Sequence, residues 1–226
     1  MSSNPWLTIW TQPRETVARV VSENPKKDLW WLATIYGFSS LLNVFQSFLA
    51  GNSLQVFAIF IIALAISPFW GYLNLSIWSW VTTITGKWLK GAGNFQTVRC
   101  AYAWSFVPLI INIPIWILLG VLFGSQLFTN FADHQLLSNV QVTTLFCLLL
   151  LRVTSVIWSI VIYVNALAEV QRFSILRAIG NILLTGLLIT LSAYLFFYLL
   201  SYFVHPLPQA TSFFIDNNLS QTLRYL

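Results

Sequence analysis

The chain has 226 residues, of which 58% are hydrophobic and only 8% charged. A soluble domain carries about a quarter charged residues, so this chain cannot cover itself with a wetted surface. Its net charge of +5 sits in short connections between long apolar runs, which points to orientation in a membrane and away from nucleic acid.

The apolar residues run on without the alternation of an amphipathic helix, the mark of a chain whose solvent is lipid. The expected fold is an all-α, polytopic membrane helical bundle. It has five transmembrane helices preceded by a short amphipathic interfacial helix.

The opening stretch Asn4 to Trp10 is too short to span, and its Trp6 and Trp10 suit the headgroup region. From Pro13 to Ser22 a short helix is predicted, with proline in its first turn. Val17, Val20 and Val21 share one face, with Arg14 and Arg19 towards water or lipid phosphate. This reads as an amphipathic foot on the inner membrane surface, or as a helix packed on the cytosolic side. About 28 mixed-polarity residues precede the first apolar run, so no cleavable signal peptide is expected and the first span serves as the targeting signal.

The first span is predicted from Leu29 to Ala50, behind Trp30 and Trp31. The second run, Leu54 to Trp88, exceeds the roughly 20 residues that a bilayer requires. Pro68 lies within it, but the piece before Pro68 is too short to span, so one long, kinked or tilted span is expected. After Lys87, Lys90, Gly91, Gly93 and Arg99 comes a third span, Val98 to Gly124. Its Pro108 and Pro114 predict a kink or partial unwinding.

Ser125 to Gln141 is a loop without lysine or arginine. A fourth span follows from Val142 to Ala168, and a fifth from Leu176 to Phe203 after a short turn with Arg172 and Arg177. Pro206 and Pro208 begin a polar tail. With five spans, Arg14, Arg19, Lys26, Lys27, Lys87, Lys90, Arg99, Arg172 and Arg177 fall on one side, and only Arg224 on the other. The bias predicts a cytoplasmic N-terminus and an outer C-terminus, and splitting the second run would scatter the bases.

Polar residues within spans need partners. Tyr36, Ser39, Asn43 and Ser47 share a face of the first span, and Ser67, Gly71, Asn74, Trp78 and Thr85 a face of the second. Ala101, Ser105, Pro108 and Asn112 do so on the third, and Asn181, Thr185 and Ser192 on the fifth. Such stripes serve as helix contacts or line a hydrophilic pathway. On the fourth span Arg152, Ser155, Ser159, Tyr163 and Glu169 fall together. Arg152 can snorkel to the outer headgroups, bind an anion or lipid phosphate, or bond an asparagine or freed carbonyl on another helix. Arg152, Ser155, Ser159, Tyr163, Asn74 and Asn112 are the candidate intramembrane polar site.

No aspartate or glutamate lies mid-membrane, which argues against proton-coupled transport. Gly120 and Gly124 make a weak helix-contact motif. Cys100 and Cys147 read as small buried residues, and His134 and His205 fall on the outer side without an acid partner. No H-E-x-x-H, G-x-S-x-G or phosphate-cradling loop is present. No enzyme, metal site or cofactor is expected.

The opening Asn4-Pro-Trp-Leu-Thr-Ile-Trp-Thr-Gln-Pro-Arg-Glu-Thr16 resembles that of bacterial members of the YIP family, homologues of the Ypt/Rab-interacting membrane proteins. Gly86-Lys87, then Gly91-Ala-Gly-Asn-Phe-Gln-Thr-Val-Arg99 and Ala101 to Pro108, resemble that family's most recognisable block. This chain has Gly-Ala-Gly where a Gly-Gly pair is commoner. Gly91, Gly93, Phe95, Gln96, Arg99 and Pro108 are the family-motif residues.

The resemblance covers nearly the whole chain. It implies an N-terminal segment 1–28, a five-helix transmembrane domain 29–203 and a tail 204–226. Eukaryotic relatives work with Rab GTPases in the Golgi and endoplasmic reticulum, a role not carried over to a bacterial-type chain. The expected function is a non-enzymatic inner-membrane protein that organises or contacts lipid, other membrane proteins or further copies of itself. The alternative is a small transporter, channel or lipid-moving protein with a polar site in the bundle.

Overall fold

A computed structural model describes residues 4–129 and 138–204. His134, His205, Pro206, Pro208, Arg224 and the C-terminal tail lie outside the described residues. Among those described, the regular structure is helical: α1 (Pro5–Thr8), α2 (Pro13–Glu23), α3 (Leu29–Ser47), α4 (Val56–Trp88), α5 (Phe95–Trp104), α6 (Asn112–Phe123), α7 (Asn139–Gln171) and α8 (Ile175–Val204). Short 3-10 turns cover Ala50–Asn52, Val107–Ile111 and Gly124–Phe128. Among the described residues, four stretches are long and apolar enough to cross a membrane: Val56–Trp88, Phe95–Phe128, Asn139–Gln171 and Ile175–Tyr202. The described residues thus form an all-helical, multi-pass protein.

The first apolar run, α3, is not among those four. Its polar residues lower its hydropathy, yet several of them bond other parts of the protein. Ser40 accepts from the Trp70 indole at 3.2 Å, and the Gln46 amide donates to the Leu127 carbonyl at 3.0 Å. The helix presses on α4 through facing glycines. A Cβ on Gly37 would strike the α4 backbone at Ser67 and Gly71, and one on Gly71 would strike the Ala33 carbonyl of α3. Only glycine permits this approach.

The second run is one continuous helix through Pro68. Proline has no N–H for the carbonyl four residues earlier, which belongs to Leu64. The hydroxyl of Ser67, fully buried, donates to that carbonyl at 2.8 Å and replaces the missing bond. The third run behaves differently and breaks into α5, a 3-10 turn at Pro108, and α6. Pro114 falls in the first turn of α6, where its missing N–H costs little.

Two helix ends close alike. Lys90 takes the left-handed conformation (φ 62°) while the Gly91 N–H reaches the Gly86 carbonyl at 2.8 Å. Arg172 does the same (φ 54°), with the Phe173 N–H on the Ala168 carbonyl at 2.8 Å. Both are Schellman-type caps. They bring the basic connection after α4 against the one after α7, where the Ala92 N–H bonds the Gln171 carbonyl at 3.1 Å. The turn after α3 meets the turn after α6, since a Cβ on Gly51 would strike the Ser125 carbonyl.

The N-terminal segment is docked on the helices. Trp6 packs on Trp104 with ring centroids 5.4 Å apart and donates to Asp28 at 3.3 Å. Ile9, Val17 and Val20 are fully buried in a cluster with Trp104 and Ile162. The apolar face of α2 is therefore packed on α5 and α7.

The chain divides into two compact units, residues 1–182 and 183–226. All the contacts above belong to the first. In the second, the later part of α8 carries exposed apolar and aromatic side chains, Phe196 and Phe197 among them, as lipid-facing helix requires.

Candidate functional site

Arg152 stands 13 residues into α7, about 20 Å along it. One terminal nitrogen donates to Asn43 Oδ1 of α3 at 3.0 Å, and the guanidinium carbon lies 4.9 Å from the centre of the Trp116 ring on α6. Of the roles open to Arg152 in the sequence, the structure shows the interhelical bond to an asparagine. The cation thus ties three helices. One turn before Trp116, Asn112 is buried and among the described residues its Oδ1 has no partner, nor has the Trp116 indole N–H.

The rest of the α7 stripe separates by depth. Ser155 donates to the Arg152 carbonyl on its own helix at 2.8 Å. Ser159 reaches across to the Ser105 carbonyl at 2.8 Å, and the break at Pro108 explains why that carbonyl is available. In a continuous helix the Leu109 N–H would claim it, but that N–H bonds Phe106 instead, at 2.8 Å. Tyr163 meets Thr82 of α4 at 3.3 Å and packs against Tyr102. Glu169 is exposed at the end of the helix, apart from this set. Asn74 donates to the Trp70 carbonyl on its own helix at 2.9 Å.

The motif residues form a second centre. The buried Gln171, at the end of α7, accepts from the Gly93 N–H at 3.0 Å. A Cβ on Gly91 would overlap the Gln171 amide, which explains a glycine there. Asn94 caps α5 by a reciprocal bond with Thr97. Arg99, 8% exposed, donates to the Tyr72 hydroxyl at 2.7 Å and lies over the rings of Tyr72 and Phe95, at 5.2 and 4.8 Å. Trp30 stacks on Tyr72 at 4.7 Å. Gln96 is exposed and Pro108 is buried in the 3-10 turn.

Sequence reasoning missed Gln171 and Tyr72. Gln171 follows the last apolar residue of the fourth run and looks like loop, and Tyr72 looks like one more aromatic in an apolar run. Thr85 and Asn181 were placed on separate stripes, and the structure joins them by a hydrogen bond. Among the described residues no three His, Cys, Asp or Glu side chains group to hold a metal.

The helices and their polar ties define a multi-pass membrane protein whose spans are fastened to one another by serine, threonine, amide and arginine side chains. The chain belongs to the Yip1 domain family, whose model matches residues 7–207. No curated protein and no solved structure matches it.

Proposed function

We propose that this protein is a non-enzymatic component of the cytoplasmic membrane that organises lipid or neighbouring membrane proteins. The carrying observation is where the intramembrane polar groups are spent. Ser159, Tyr163, Thr85, Arg152 and Gln171 each bond a neighbouring helix or turn, as side chains that hold a scaffold together do.

The same reading has five spans, with α3 as the first and the N-terminus cytoplasmic. At 19 residues α3 is about 28 Å long, close to a hydrocarbon core of about 30 Å. Its start lies by Trp6 and Asp28, and its far end meets the turn after α6. Crossing by α3 puts every basic connection on one face, as the positive-inside rule asks.

A second reading, a lipid-moving or anion-conducting protein, is favoured by the broken third span beside Arg152 and the partnerless Asn112 oxygen. Purified protein in proteoliposomes, with fluorescent lipids and a panel of small anions, separates the two. The scaffold reading expects the same flux from wild type, Arg152→Ala and empty vesicles. Wild-type flux at least tenfold above empty vesicles would overturn it, and loss of that flux in Arg152→Ala would place the site at Arg152.

A further inference from the structure

A cleft of about 530 Å³ opens between the start of α2 and the flank of α7. Trp10, Arg14 and Glu15 line one side, and Trp158, Val161 and Asn165 the other. From this cleft we infer a binding site for one phospholipid with a phosphate and a primary ammonium, of the phosphatidylethanolamine class. The inference rests on the reading of α2 as lying at the inner membrane surface.

Depth comes first. At 33 residues α7 is about 50 Å long, well beyond a hydrocarbon core of about 30 Å. Asn165 lies six residues before its end, and Trp158 about 10 Å further in. The cleft therefore runs from headgroup level into apolar depth, with polar residues at its mouth and Val161 and Trp158 below. Trp10 and Trp158 remain 41% and 42% exposed, so the walls are open to lipid.

Charge then selects the headgroup. Asn165 Oδ1 accepts from Arg14 Nε at 3.3 Å, which fixes the guanidinium and leaves its two terminal nitrogens without a bond among the described residues. Those nitrogens match a phosphodiester in a paired geometry. Gln12 makes no side-chain cap on α2, so the N–H groups that follow Pro13 are not taken by it and are open to a phosphate. Glu15 would repel a purely anionic headgroup. An ethanolamine places its ammonium next to the phosphate, where the Glu15 carboxylate and the Trp10 ring both favour a cation. Choline has no N–H to give the carboxylate, which leaves the primary amine as the better match.

The test is lipid retention by the full-length protein in detergent, read by native mass spectrometry. The probes are dioleoyl phosphatidylethanolamine, phosphatidylglycerol and phosphatidylcholine at equal concentrations. Wild type is expected to retain phosphatidylethanolamine at least threefold over each of the others. Arg14→Ala should lower retention of all three about tenfold, and Glu15→Gln should bring phosphatidylglycerol level with phosphatidylethanolamine. Arg19→Ala, whose side chain bonds Thr8 instead, should match wild type. If Arg14→Ala lowers the melting temperature, Asn165→Leu serves in its place and should reduce retention at least threefold.

Equal retention of the three lipids by wild type, a preference for phosphatidylglycerol, or unchanged retention in a folded Arg14 or Asn165 variant would overturn the site. Flux in proteoliposomes would overturn the scaffold reading and leave these retention ratios standing, so the two failures are distinguishable.

Discussion

Ser67 shows how one hydroxyl decides whether a proline breaks a membrane helix. With no water at depth, the Leu64 carbonyl that Pro68 leaves unpaired must find a donor in protein. Ser67 is that donor, one residue before the proline and fully buried against α3. Removing it leaves that carbonyl without a donor where no water can replace it, which costs about 1–3 kcal/mol. We expect Ser67→Ala to lower the melting temperature of the purified protein. Ser67→Ala combined with Pro68→Ala should recover most of the loss, because the second change restores the N–H. A double variant no more stable than Ser67→Ala would show that the hydroxyl does not act through the proline. The contrast with Pro108 is instructive. There the chain gives up the α-helix, and the Ser105 carbonyl is taken by Ser159 from a different helix.

Packing between elements depends on backbones meeting where side chains are absent. Gly37 and Gly71 face each other at the crossing of α3 and α4, and a Cβ on either would collide with backbone, which cannot swing aside. Gly71→Ala is therefore expected to destabilise the fold by at least the 1–3 kcal/mol typical of overpacking. Gly180→Ala, with nothing within 4 Å of the added carbon, should be neutral or slightly stabilising. Melting curves of the two variants make the comparison. Equal changes in the two variants would show that the crossing of α3 and α4 carries no special cost, since helix propensity favours alanine at both positions.

At this scale much was legible in advance. Of the five predicted runs, the second, fourth and fifth appear as single long helices, and the third breaks where its prolines predicted a kink or unwinding. The unity of the second run followed from the shortness of the piece before Pro68. What stayed hidden was pairing. Arg152 and Asn43 are 109 residues apart and Gly93 and Gln171 are 78 apart, and no local period records such distances. Ser159 was placed on the right face of its helix, but its partner is a carbonyl exposed only once α5 ends.

For the whole molecule, the question is whether α3 crosses the membrane. Hydropathy counts its serines and amides against it, although half-buried Ser40 and Gln46 bond other parts of the protein and the exposed Asn43 accepts from Arg152. A polar group bonded to another helix has part of its transfer cost offset, so the length of the helix becomes the better guide. If α3 crosses as the five-span proposal has it, Ser22, before α3, and Asn52, after it, are expected on opposite faces. Both are exposed, so each can report its side. In a background of Cys100→Ala and Cys147→Ala, a membrane-impermeant maleimide on intact cells should label Asn52→Cys and should reach Ser22→Cys only after lysis. Labelling of both, or of neither, before lysis would place them on one face and reduce α3 to a re-entrant or surface helix. The basic residues before α3 would then be separated from Lys87 and Lys90 by a single crossing, against the charge rule that the five-span arrangement obeys.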